Sequence, residues 1–135
     1  MRQLPFELTN GQRDVFDVLS TELAATRRTD EHLRQLAQHL DAMRQAHLHR
    51  NVTRFVEADL AFHDTLFQAV DNVFLTAIFE PLTLILRTMR TSTSSVSQFR
   101  EHGIDWHGRI LGAIADGDPI RARESMRAHL VQTED

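Results

Sequence analysis

Apolar residues recur at three- and four-residue steps over nearly the whole of this chain, and that period confines it to helices. Val15, Phe16, Leu19, Leu23 and Ala24 form such a stripe and predict a first helix from about Gln12 to Thr26. Thr29 caps a second, from Asp30 to about His49, with Asp30 and Glu31 in the first turn where the helix dipole favours acids. After a short break at residues 51–53, a third runs from about Arg54 to Val70. Asn72 is placed to cap a fourth, "VFLTAIFEPLTLILRTMR", which is apolar on more than one face and is interrupted by Pro81. "TSTSSVS", residues 91–97, reads as a linker before a fifth helix that ends near Ala115. Gly117, Asp118 and Pro119 then supply a C-terminal cap, an N-cap and a first helical position in succession, the strongest boundary in the chain, and a sixth helix follows to about Val131. The expected fold is all-α, an antiparallel bundle of about six helices with a pocket in its core.

A chain of 135 residues is one domain by length and buries roughly two thirds of the surface its unfolded form would expose. It has no cysteine, which removes disulfides, thiolate metal sites and cysteine nucleophiles together. No apolar run approaches the roughly 18 residues of a membrane span, and no signal peptide is visible, so the expected location is cytoplasmic, without a membrane partner. The 15 basic residues, all arginine, are outnumbered by 19 acidic ones and are scattered along the chain. A nucleic-acid surface carries a basic stripe, and this one does not.

Eight histidines are many for this length, and their spacing is informative. In "ADLAFHDTLF" Asp59 and His63 stand one helical turn apart on the same face, although such a pair is more often a solvated one. His107 lies ten residues before the turn at Gly117 and His129 eleven after Asp118. Antiparallel helices hinged there bring the two imidazoles to one height, about 15 Å from the turn. Ile110, Leu111 and Ile114 on one side and Met126 and Leu130 on the other direct them inward. They are either neutral buried histidines or, with Asp59 and His63, a donor set of three nitrogens and one oxygen suited to zinc, nickel, manganese or iron. His32, His39, His47 and His49 are expected to be solvated; His102, near an expected bend at Gly103, is placed to line the pocket without binding the ion.

"RDVFDVLSTELAATRRTDEHLRQL", "ADLAFHDTLFQAVDNVFL" and "HGRILGAIADGDPIRARESMRAHL" together resemble the FCD ligand-binding domain of FadR-subfamily regulators in the GntR superfamily of bacterial transcription factors. The likeness covers about residues 13–131, leaving 1–12 as a lead-in and 132–135 as a tail. It implies a dimeric helical bundle that holds a divalent ion and binds a small organic acid, with the metal ligands on Asp59, His63, His107 and His129. Arg13 falls on a family arginine that grips an effector carboxylate; a surface pair with Asp17 is the alternative. Asn72 matches a family asparagine that its capping role already explains, and Arg87 either reaches the pocket or snorkels to the end of the bundle. Such domains ordinarily follow a winged helix-turn-helix domain, which is absent from this chain, so DNA contact is expected only through such a domain. Trp106 stands where the family carries an acid before the histidine, and Glu101 or Asp105 is the expected substitute in bonding His107.

The function these residues suggest is sensing: a hydroxy-, keto- or sugar acid chelates the ion at its two remaining positions and draws helices together, moving attached DNA-binding domains. A helical metalloenzyme, a hydrolase using ion-bound water, is the competing class; it needs a general base beside the open positions, and the nearest candidates in sequence, Glu57 and His102, have no helical register that puts them there. A purely structural ion is the third.

Overall fold

The computed structural model describes the backbone of residues 10–74, 77, 91 and 93–134, and side chains over 18–74, 77, 91 and 93–129. Five helices are delimited among the described residues: α1 (Asn10–Arg27), α2 (Asp30–Leu48), α3 (Val52–Val70), α4 (Ser97–Ala115) and α5 (Pro119–Glu134). No strand occurs among them. No described helix is long and apolar enough to cross a membrane.

Local chemistry sets the helix ends. Thr29 Oγ1 accepts from the His32 backbone N–H, and His32 Nδ1 accepts in return from the Thr29 N–H, a reciprocal cap that puts His32 to work at the helix start. Asn51 caps α3 by accepting from the Arg54 N–H at 3.1 Å, so the break expected over residues 51–53 shrinks and the helix starts two residues early. Asp71 ends α3 in the left-handed region at φ 54°, a conformation that a short acidic side chain tolerates. Asn72 Oδ1 accepts from the Phe74 N–H at 2.9 Å, the capping contact expected of it. Most of the helix expected over residues 73–90, Pro81 and Arg87 included, lies outside the described residues. The expected linker is partly helical: Thr91, Thr93 and Ser94 are helical, Ser95 and Val96 form a turn and bend, and α4 opens at Ser97.

The turn between α4 and α5 is built as its sequence suggests. Gly117 takes φ 65°, and Asp118 Oδ1 accepts from the Arg121 N–H at 3.0 Å. Arg28 seals the end of α4 by donating from Nε to the Ile114 carbonyl and from Nη2 to the Ala115 carbonyl, both at 3.0 Å. A cation at a helix C-terminus satisfies carbonyls that have no partner inside the helix.

Packing centres on α3. It lies against α2 and α1, while α5 lies against α1 and α4, and α4 against α2. Phe55, Val56, Leu60, Phe62, Leu66, Phe67 and Val70 are all buried, which places α3 between neighbours on more than one side. Leu36 and Met43 from α2, Ile110 and Ile114 from α4 and Met126 from α5 close the core around Phe62. Gly103 makes no bend. α4 continues through it, and a Cβ there would meet Phe55 Cζ at an ordinary 3.6 Å, so neither a bend nor a close approach accounts for the glycine.

Candidate metal centre

Among these apolar residues four ionisable side chains are buried together: Asp59, His63, His107 and His129 are each 3% exposed or less. α3 contributes the first two one turn apart, α4 the third and α5 the last. His107 is the hub. Its ring meets those of His63 and His129 edge-on at centroid distances of 5.2 and 5.0 Å, and Phe62 braces it at 4.7 Å. One ring nitrogen from each of His63, His107 and His129 lies within 4.8 Å of the other two. Asp59 joins through two of them: its Oδ1 is 2.8 Å from His107 Nε2 and 3.5 Å from His63 Nε2.

The tautomer of His107 follows from its other nitrogen. Nδ1 lies 2.6 Å from the Gly103 carbonyl, which only accepts, so Nδ1 carries the proton. The contact orients the ring and leaves Nε2 facing Asp59, where it makes no hydrogen bond. A carboxylate oxygen and an imidazole lone pair at this separation repel unless a cation lies between them, and in a dry core that cation is a proton or a metal ion. Three imidazoles and a carboxylate on rigid helices therefore fit a divalent ion of the zinc, nickel, manganese or iron type.

The orienting contact is a correction to expectation. Neither Glu101 nor Asp105 reaches His107: Glu101 Oε1 sits 3.6 Å from His47 Nε2, and Asp105 pairs with Arg109 at 3.0 Å. Trp106 carries the Arg109 guanidinium over its ring at 4.5 Å. His47 is also not a solvated end residue, because its Nδ1 accepts from Nε of the buried Arg100 at 3.0 Å, and Arg100 donates further to the Ser94 carbonyl at 2.7 Å. His32 and His39 are part-buried, and His49 alone of that group is exposed. His102 is exposed near the start of α4, and so is Glu57 on α3. The Arg13 side chain and all of Arg87 lie outside the described residues. An open cleft lined by Arg27, His32, Gln68 and Asp71, and another by Gln45, His49, Arg54 and Glu57, include none of the four clustered residues.

Among the described residues the domain is all-helical and buries a histidine cluster where three helices meet. The FCD domain family model matches residues 12–132, and the chain belongs to that family, whose members are domains of GntR-type regulators. It is 30% identical over 132 residues to the HTH-type transcriptional regulator LutR of Bacillus subtilis (strain 168), a match covering 91% of this chain and 58% of that protein. The solved structure of Streptococcus agalactiae GntR superposes with a TM-score of 0.73 at 20% identity, covering 90% of this chain and 54% of that one. The chain thus spans a little over half the length of both. A 27-residue stretch is 78% identical to part of the ATP-dependent DNA helicase RecG of Mycobacterium leprae (strain TN), but it covers 4% of that protein and carries no fold or activity with it.

Proposed function

We propose that this chain is the metal-dependent sensing domain of a FadR-subfamily GntR regulator, binding a small organic acid and passing that event to a DNA-binding domain elsewhere in a longer protein. The observation that carries the reading is the buried convergence of His63, His107 and His129 with the Asp59 carboxylate against two of them. Asp59, His63, His107 and His129 hold the ion, with zinc the first choice for an imidazole-rich set. When bound, the ion supplies a Lewis-acidic seat for a carboxylate. The protein's part is to orient the imidazoles, exclude water with Phe62 and Met126 and recognise the remainder of the acid.

Family membership supports a regulatory role over catalysis, as does the exposure of Glu57 and His102, the two side chains a hydrolytic reading needs beside the ion. The name of the Bacillus relative supports a helix-turn-helix partner domain. A cytoplasmic homodimer is the assembly that goes with this role. Arg13 and Asn72 are the proposed effector contacts on the flanking segments, with Arg87 further along the chain; the exposure of His102 speaks against the pocket-lining place expected of it.

Elemental analysis of the purified chain, joined to a thermal-shift screen of small carboxylates with and without chelator, tests the reading. About one divalent ion per chain and stabilisation by an acid that chelation abolishes are the expected results. Stabilisation that survives complete removal of metal overturns the metal dependence, and turnover of the acid overturns the sensor.

A further inference from the structure

Ser20 is a buried polar side chain that the site as described leaves unused. It is 1% exposed, and its Oγ finds no hydrogen-bond partner among the described residues. A helical serine in apolar surroundings ordinarily donates to the carbonyl one turn back, and this one does not. Ala24 and Ala25, also on α1, are buried at 0% and 2% exposure with a methyl group alone.

The height of Ser20 in the bundle suggests its partner. Arg27 Nη1 donates to the Val70 carbonyl at 3.0 Å, which ties the last turn of α1 to the last turn of α3. Seven residues back along each of these parallel helices, about two turns, stand Ser20 and His63. A second tie agrees. Arg28 donates to the Ile114 carbonyl, and the same step back along α1 and α4 leads to Thr21 and His107. α1 packs against α3, α4 and α5, the three helices that carry the clustered side chains.

We propose that the Ser20 hydroxyl is a specificity-determining contact for an α-hydroxy acid bound beside the histidine cluster, exchanging a hydrogen bond with the acid's hydroxyl or free carboxylate oxygen. This rests on the sensing role proposed above and adds to it the chemical class of the acid. A hydroxyl both donates and accepts, which suits a substituent that does the same.

The test compares the zinc-loaded wild-type chain with Ser20→Ala, titrated calorimetrically with glycolate, malate and citrate, alongside melting curves of both chains in chelator. The substitution raises the Kd of the tightest-binding acid about tenfold, the size of one buried hydrogen bond. It leaves the chelated melting temperature equal or higher, because a buried hydroxyl without a partner is lost. Equal affinity in the two chains overturns the role of Ser20 and leaves the sensing reading standing. A lower chelated melting temperature shows a structural role and overturns it too. Wild-type chain that retains zinc but binds none of the three acids overturns the α-hydroxy-acid assignment, and the sensing reading then stands or falls on the wider carboxylate screen.

Discussion

His129 brings an imidazole from the last helix to a cluster whose other members sit on α3 and α4, so its loss separates packing from metal binding. His129→Ala removes a side chain 2% exposed and costs about 1–3 kcal/mol by packing alone. With an ion bound the cost is larger, because one of four ligands is gone and the ion's contribution to folding falls with its affinity. The expected outcome is lower metal retention after dialysis and a melting-temperature drop greater in the metal-loaded chain than in the chelated one; equal drops in both states count against a shared ion. The positions of Asp59, His63, His107 and His129 were legible because a helical turn and a counted hairpin are properties of spacing. Their orienting partner was not. The Gly103 carbonyl is a backbone group that every residue possesses, and nothing in a side-chain pattern singles it out. His47 misled for another reason: its partner Arg100 is 53 residues away, while the sequence shows only its place near the end of a helix.

At the scale of helices, the turn at Gly117 sets the relative height of His107 and His129. Its φ of 65° lies where an L side chain is strained, although a Cβ would meet the nearest atom, the Ala25 carbonyl oxygen, at an ordinary 3.8 Å. Gly117→Ala therefore acts through backbone strain and destabilises the chain by about 1–2 kcal/mol in urea unfolding. An unchanged midpoint means the turn relaxes into another form. Helix ends were read from sequence at Thr29, Asn72 and Asp118, where a cap announced them, but not at Asn51, whose cap lies in the expected break. Other errors concern residues whose partners are distant in the chain or whose local composition favours turns. Gly103 looks like a break locally, yet it is a helical residue within α4 beside Phe55. Residues 91–97 look like a linker because serine and threonine favour turns, yet helix occupies part of them.

For the whole molecule, the proposed ion, held by α3, α4 and α5, would act as a cross-link between segments far apart in the chain. Binding to the folded state alone adds about 2.7 kcal/mol when free metal is a hundredfold above its Kd. Protons compete with the ion for imidazole nitrogens, so this contribution fades as the solution is acidified. Another acid-sensitive group needs separating from it. Burial holds the His39 imidazole below its ordinary value of 6.5, against the opposing pull of Asp64. The unfolded chain takes up that proton first as pH falls, so stability is full above about 6.5 and declines down to the lowered value, with or without metal. Melting curves of the loaded and the chelated chain across that range resolve the two. The chelated chain declines through the His39 window, and His39→Gln flattens that part. The difference between loaded and chelated curves is the ion's own contribution, expected to shrink toward zero near pH 5, at about the acidity where imidazoles are mostly protonated. A difference that stays constant down to that acidity means the stabilising ion is not held by histidine nitrogens, and the cluster is then a proton-bridged core.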